Sequence, residues 1–351
     1  MQPATPQIAA FLSRLPGLMR TLRSLALLAI CGMLLSGASP ATAASAGTSG
    51  SISVSGREYV RLATWAKAQG LEATWLVKDR TLQLSGRSSR ILLIVNSREA
   101  RVNGTTVWLL FPVAERGGFV YLSRADTLST FGPLLTPGKS GRIQTICLDP
   151  GHGGRDPGNR SGSNYEKTQT LLLANEVKSM LAKAGFKVVL TRSADVYIDL
   201  ENRPAIAQKA GADLFVSLHF NAAESSRSLV KGTEVYNMTP AGAPSTNAQG
   251  EGAGAGSFPG NRNNDRNLLL AWNVQKSLVH SLYSEDRGVR RARWAVLRDA
   301  TMPAILVEAG FMSHPTEGAK IVSAEYRRQM AKAIVDGILA YKKVGEPAAK
   351  H

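Results

Sequence analysis

The sequence predicts an α/β protein: a mostly parallel mixed sheet with helices on both faces, preceded by a small α+β domain. Three observations carry this expectation. From Ile143 onward, strand-like apolar runs alternate with helix-periodic segments, and such alternation implies a largely parallel sheet covered by helices. From Ser51 to about Leu135 the text instead holds one amphipathic helix and several short β-like runs. Between them "TPGKSGR", residues 136–142, reads as a linker. A chain of 351 residues is long enough for two domains.

Residues 1–43 belong to neither. Arg14, Arg20 and Arg23 precede an apolar run from Leu25 to Leu35, and Ala41-Thr42-Ala43 follows. This is the pattern of a cleaved signal peptide. The run is shorter than the ~20 residues of a permanent span. A lipid anchor at Cys31 would want a small residue before it, where Ile30 stands; a retained N-terminal anchor is the other alternative. Cleavage removes three arginines and no acids, so the net charge falls from +16 to +13. A basic exported protein is drawn to anionic wall polymers or lipid headgroups. Export argues against nucleic acid, and the expected location is the periplasm or a cell-wall compartment. Cys147 remains alone in an apolar run, which suits a buried structural thiol and allows no internal disulfide.

Residues 44–50 read as a flexible lead-in. "REYVRLATWAKAQG" reads as an amphipathic helix closed by Gly70. The β-like runs "EATWLV", "TLQLS", "ILLIV", "TVWLLF" and "GFVYLS" follow, split by turn residues, and a short helix "RADTLSTF" ends before Gly132-Pro133. With "VNGTTVWLLFPV" followed by "GFVYLSRADTLSTFGPLL", residues 51–135 resemble the N-terminal-like domain of copper amine oxidases, a module of bacterial envelope proteins. No histidine precedes His152, so the usual metal-ligand set is missing there. Binding or spacing is the expected job.

The second domain, residues 143–345, begins with strand "IQTICLD". A helix from Glu166 to about Ala184 follows, with Leu173, Val177, Leu181 and Ala184 at helical spacing. Next come strand "FKVVLTR", helix "LENRPAIAQKAG", and strands "DLFVSLHF" and "GTEVYNM". Helix "NLLLAWNVQKSLVHSLY", strand "PAILVEAGF" and a helix around Ala324–Tyr341 complete the pattern. Residues 239–265 interrupt it with Gly, Ala, Ser and Asn and few large apolar residues. Such a stretch is expected to be mobile, as a substrate lid or a tolerated surface insertion.

In folds of this kind the site lies at the carboxyl ends of strands. "CLDPGHGG" puts His152 just past one strand, "LFVSLHFNA" puts His219 at the end of another, and "AILVEAGF" puts Glu308 at the end of a third. Glu166 heads the helix that returns from the first loop. Singly, each has a plainer reading: a core histidine, or a helix-start acid favoured by the dipole. Jointly they match many catalytic zinc sites, with two imidazoles and one carboxylate as ligands and water in the fourth position. A further carboxylate can then handle the water's proton.

"LDPGHGGRDPGN", "EK" opening the next helix, "LTRSADVYIDLENR", "ADLFVSLHFNA" and "RGVRRARWAVLRDATMPAILVEAGFMSH" closely resemble the zinc-dependent N-acetylmuramoyl-L-alanine amidases. The resemblance runs from Ile143 to about Tyr341. It implies that His152, Glu166 and His219 bind one Zn²⁺ and that Glu308 is the catalytic carboxylate. The implied substrate is peptidoglycan, cut between the lactyl group of N-acetylmuramic acid and L-alanine of the stem peptide. One departure is His314, where the family commonly has Asn.

Asn221 is a candidate to orient a ligand or bind substrate. Arg290, Arg291 and Arg293 lie close together and are candidates to meet an acidic stem peptide, Arg293 foremost, against the plainer reading of a solvated strand face. Arg192 and Arg203 read as structural ion pairs, and His280 sits inside a helix pattern. A monomer is expected, with an activator protein as a partner if a lid covers the site. Two competing functions remain open: another zinc peptidase cutting within the stem peptide, and a non-catalytic peptidoglycan-binding protein, which would be expected to lose one of the four residues.

Overall fold

The computed structural model describes residues 50–344 apart from 248, 249 and 255. The expected signal peptide, 1–43, lies outside the described residues. Strands β1 (Ser51–Val54) and β2 (Arg57–Arg61) form a hairpin through Ser55 and Gly56, whose φ angles of 50° and 73° are left-handed. Two such residues make the turn whose twist matches that of the strands. The helix expected from Arg57 therefore starts only at Leu62, as α1 (Leu62–Ala68). The first five residues of that periodic stretch are claimed by strand pairing on both sides, which overrides helical pattern.

The segment continues with β3 (Glu72–Val77), β4 (Thr81–Ser85), β5 (Arg90–Ile94), β6 (Glu99–Val102), β7 (Thr105–Trp108), β8 (Ala114–Arg116) and β9 (Phe119–Ser123). Strands β1, β2, β9 and β8 form one antiparallel sheet, and β3 to β7 an antiparallel meander. Helix α2 (Arg124–Asp126) runs through a π turn at 127–131 into α3 (Gly132–Leu135). The helical stretch thus passes Gly132-Pro133, where it was expected to stop. Pro133 sits in the first turn of α3, where a missing N–H costs no intrahelical bond.

The second half begins with β10 (Thr145–Pro150), a two-strand hairpin β11 (Arg160–Ser161) and β12 (Asn164–Tyr165), and α4 (Glu166–Lys183). Then follow β13 (Lys187–Leu190), α5 (Asn202–Lys209), β14 (Leu214–Asn221), β15 (Thr233–Met238) and α6 (Asn264–Leu282). Strand β16 (Asp286–Ala292), α7 (Ala295–Arg298), β17 (Ala304–Phe311), α8 (Pro315–Ile321) and α9 (Ala324–Lys343) complete it. Strands β13, β10, β14 and β17 are parallel neighbours in that order; β15 runs antiparallel to β17 and parallel to β16. Alternate residues serve the two faces. Ile146, Leu148, Val216 and Val307 pack with residues of α4, α6 and α9, while Cys147, Phe215 and Leu306 pack with residues of α5 and α7. The α/β sheet with helices on both faces is the architecture found. Burial pushes the Cys147 thiol up to about 12, as expected of a structural cysteine.

The sheet does not stop at residues 136–142. Strand β16 pairs with β7 in parallel through Val289 and Val107, so the meander and the α/β sheet form one sheet of eleven strands. Arg291, 1% exposed, donates to the carbonyls of Trp108 and Ser129 and to Thr130 Oγ1. Ser140, inside the expected linker, donates to the Lys342 carbonyl. The described residues from 50 to 344 cluster as one compact unit.

The 239–265 insertion is anchored by polar contacts. Ser245, Thr246 and Asn247 are buried. Thr239 Oγ1 and Ser245 Oγ lie 2.7 Å apart, and Ser245 Oγ donates to Glu251 at 2.6 Å. Arg98, from the first segment, reaches the Pro244 and Ser245 carbonyls. A composition argument that counts only apolar residues misses such anchoring. No described helix is long and apolar enough to cross a membrane.

Candidate active site

The site is built just past the end of β10, near the end of β14 and in the middle of β17, where Glu308, expected at the strand's end, is the fifth of eight residues. Past Pro150 the chain turns at Gly151, and a Cβ there would collide with the His219 imidazole. His152 follows with a φ of 61°, a left-handed conformation seldom held by a non-glycine residue without support. The support is visible. Arg203 Nη1 donates to Asp149 Oδ1 at 2.8 Å and its Nη2 to the His152 carbonyl at 2.9 Å. Arg192 donates to the carbonyls of Pro150 and Gly151. Arg203 thus forms the expected ion pair, while Arg192 serves mainly main-chain carbonyls.

Glu166, 1% exposed, opens α4. Its Oε1 lies 3.0 Å from His152 Nε2 and 3.0 Å from His219 Nδ1. The same oxygen accepts from the Phe220 N–H, and Oε2 accepts from the Asn159 N–H at 2.8 Å. Burial alone would raise this carboxyl, but its bonds and charge interactions with the two histidines outweigh that and hold it well below the usual carboxylate range. His152 Nδ1 meets Asp156 Oδ2 at 2.8 Å. Burial works against protonating His152, but the Glu166 and Asp156 carboxylates outweigh it and move its pKa up. At Gly158, with φ 64°, a Cβ would lie 2.6 Å from His152 Cδ2 and 2.7 Å from Glu166 Oε2, so only glycine lets this loop close over both side chains.

One donor atom from each of His152, Glu166 and His219 lies within 4.8 Å of the others. Ligands about 2.0–2.2 Å from a tetrahedral zinc stand roughly 3.3–3.6 Å apart. The observed nitrogen–oxygen spacings are close to that edge, and the donor set of two imidazoles and a carboxylate suits a divalent transition metal. The residues present fit a metal ion.

Glu308 lies beside His219 in the β14–β17 pairing and opposite Glu234 in the β17–β15 pairing. Its Oε2 is buried and has no hydrogen-bond partner among the described residues. Burial, then the negative charges of Glu166 and Glu234, push this carboxyl well above its usual range. The structure therefore brings His152, Glu166, His219 and Glu308 to one edge, and all four line a cavity of about 330 Å³.

The other candidates divide. Asn221 ends β14 and donates from Nδ2 to Glu234 at 2.7 Å, lining a second cavity beside Glu308. Arg293 lies away from both cavities' walls and binds the insertion, donating to the Ala243 and Gly252 carbonyls. His314 caps α8, accepting from the Glu317 N–H at 3.1 Å. His280 lies on α6. Sequence reasoning missed Asp156, Asn159, Glu234 and Trp294. Only Asp156 carried a signal: a carboxylate four residues from a candidate ligand histidine, in a loop, is placed to orient it.

Residues 146–340 match the family model described as N-acetylmuramoyl-L-alanine amidase. The chain is 38% identical over 239 residues to N-acetylmuramoyl-L-alanine amidase AmiC of Neisseria meningitidis, covering 62% of this chain and 57% of that protein. It is 33% identical over 229 residues to N-acetylmuramoyl-L-alanine amidase AmiA of Escherichia coli, covering 58% of this chain and 78% of that protein. A solved N-acetylmuramoyl-L-alanine amidase from Clostridium difficile 630 is 34% identical, with a TM-score of 0.48 over 57% of this chain and 96% of that one. The chain thus spans little more than half of the Neisseria relative. With more than half of its own length matched by the family model, the chain belongs to the N-acetylmuramoyl-L-alanine amidase family.

Proposed function

We propose that this protein is an exported, zinc-dependent hydrolase of peptidoglycan. The bond cut is the amide between N-acetylmuramic acid and L-alanine of the stem peptide. The observation that carries the reading is the convergence of His152, Glu166 and His219 with Glu308 directly beside His219.

His152, Glu166 and His219 would hold the zinc. Zinc, when bound, supplies a Lewis acid that lowers the pKa of water toward about 7 and polarises a carbonyl. Asp156 engages Nδ1 of His152 and so leaves Nε2 for the metal. The Asn159 and Phe220 N–H groups fix the orientation of the Glu166 carboxylate. Glu308 takes the proton from the attacking water and delivers it to the leaving nitrogen of L-alanine. Its raised pKa favours keeping that proton between the two transfers.

Residues 1–43 direct export to the periplasm or wall compartment. Residues 51–135, resembling the N-terminal-like domain of copper amine oxidases, serve as a wall-binding module attached to the catalytic part, 143–345. The protein works as a monomer, with an activator as a partner if the insertion closes over the site.

The test is digestion of purified peptidoglycan with and without a chelator, beside Glu308→Gln, with products read by mass spectrometry. Stem peptides beginning with L-alanine, lost with chelator or with Glu308→Gln, are expected. Cuts within the peptide would overturn the substrate assignment, and binding without cleavage would favour a non-catalytic wall protein.

A further inference from the structure

The second cavity, of about 640 Å³, shares Trp294 and Glu308 with the metal-site cavity. Its floor carries an unusual charge arrangement. Arg287 and Arg290 project from β16, and the Nε of each approaches the same oxygen, Glu234 Oε2, at 3.3 Å and 2.9 Å. The other oxygen of Glu234 accepts from Asn221 and Tyr236, so both oxygens of this carboxylate are engaged. Arg290 Nη1 donates to the Thr246 carbonyl. The Arg287 terminal nitrogens and Arg290 Nη2 make no hydrogen bond among the described residues. Two cations against one buried carboxylate leave a positive surplus. The other acids on the wall are Glu224, exposed at the rim, and Glu308 itself.

Both guanidinium planes are held in place. Arg287 stacks on Phe311 at 4.8 Å and Arg290 on Trp108 at 4.5 Å. A fixed guanidinium fork matches the geometry of a carboxylate. The neighbouring arginines are engaged elsewhere: Arg291 in the core of the joined sheet, Arg293 on the insertion.

The substrate has one acidic side. The sugar flanking the scissile amide is neutral, and L-alanine adds no charge. The first free carboxylate is on the second stem residue, a D-glutamate joined through its side chain. An extended peptide advances about 3.3–3.6 Å per residue, which puts that carboxylate within about 7 Å of the scissile nitrogen. Glu308 pairs with Glu234, and Glu234 with Gly288, which lies between Arg287 and Arg290. The Nε atoms of both arginines meet the Glu234 carboxylate, which stands one strand spacing, about 5 Å, from Glu308, so the guanidiniums lie within reach of that carboxylate.

We propose that this cavity is the subsite for the free carboxylate of the stem peptide's D-glutamate, read by Arg287 and Arg290. The inference rests on the amidase reading. It makes the two arginines specificity determinants: they select acidic stem peptides over those amidated at this position.

The test compares two disaccharide tetrapeptides that differ only in bearing the D-glutamate carboxylate or its carboxamide. The purified enzyme should cleave the acid with a kcat/KM about tenfold or more higher, the loss expected when a charge-assisted hydrogen bond is removed. Arg287→Gln should bring the ratio to near one, by raising KM for the acid. Arg287→Lys, which keeps the charge without the fork, should fall between. Arg290→Gln reports the same ratio, but Arg287 is the cleaner variant because Arg290 also holds Trp108 and Thr246. Equal rates on both substrates for the unaltered enzyme would overturn the subsite and leave the amidase intact. So would an Arg287→Gln variant that slows both substrates in proportion. Cleavage of neither would remove the amidase reading and the subsite with it.

Discussion

Glu308 on β17 stands opposite Glu234 on β15, two buried carboxylates on adjoining strands, and only Glu234 is neutralised by cations. Glu308 is left with a buried oxygen that has no partner among the described residues. A buried unpaired carboxylate destabilises the fold. Glu308→Gln is therefore expected to abolish hydrolysis and, in metal-stripped protein, to raise the melting temperature. The sign follows from linkage. The folded-state pKa is raised, so the native protein loses stability as pH rises from the ordinary carboxylate range toward that value. Glutamine does not titrate, so the gain should be large near pH 8 and small near about pH 4. Thermal unfolding of both proteins across that range checks it; a gain that grows toward acid would show that burial of the charge is not the cause.

Asp156 touches the proposed metal only through His152 Nδ1. Removing such a partner typically costs ten- to a hundredfold in metal affinity. Asp156→Ala is expected to weaken zinc binding by about that factor while the protein stays folded. Competition against a chromogenic chelator gives the affinity, and circular dichroism the fold. An unchanged affinity would reduce the Asp156 contact to loop packing.

The four convergent residues were legible because each sits where strand-to-loop periodicity must place it. His152 follows "TICLD", His219 closes "LFVSL", and Glu308 interrupts "AILV" with a charge that a buried strand does not otherwise admit. Asp156 and Glu234 were less visible, since a loop acid and a strand acid each have ordinary reasons to exist. The joining of the two halves was not legible. The strand register there pairs Val107 with Val289, and nothing local in "TTVW" or "RGVRRA" distinguishes an edge strand from one that meets a distant partner. The α1 start failed for a related reason: "REYVRLATWAKAQG" has helical spacing, but the Ser55-Gly56 turn before it commits its first five residues to a hairpin.

That joining is itself testable through Arg291. Its guanidinium is buried, which pulls its pKa down to about 10 against the opposing pull of Asp126. It satisfies two carbonyls and one hydroxyl of the first segment. Arg291→Leu strands those acceptors, at about 1–3 kcal/mol for each that stays buried and unpaired. The variant should unfold at lower denaturant, and the unaltered protein should unfold in a single transition reported alike by probes in both halves. Two separate transitions would mean that the halves fold independently and that the eleven-stranded sheet adds little stability.

Gly151 gives the sharpest test of the site's packing. A single methyl there enters the His219 ring, and neither side can easily yield. The Gly151 carbonyl is held by Thr170 Oγ1 at 2.9 Å and Arg192 Nη2 at 2.8 Å, and its N–H donates to the Leu218 carbonyl at 3.0 Å. The His219 ring is fixed by Glu166 and by the strand beneath it. The least costly relief is rotation of the ring away from Glu166, which breaks the donor cluster but leaves the sheet intact. Gly151→Ala is thus expected to lose most zinc affinity and activity while unfolding close to the unaltered protein when both are metal-free. Gly162, whose added Cβ meets nothing within 4 Å, supplies the control: Gly162→Ala carries only the strain of its left-handed φ and should keep its metal. Full zinc binding by Gly151→Ala would mean that the ring and the loop can part without loss, and that the close approach is not what orients His219.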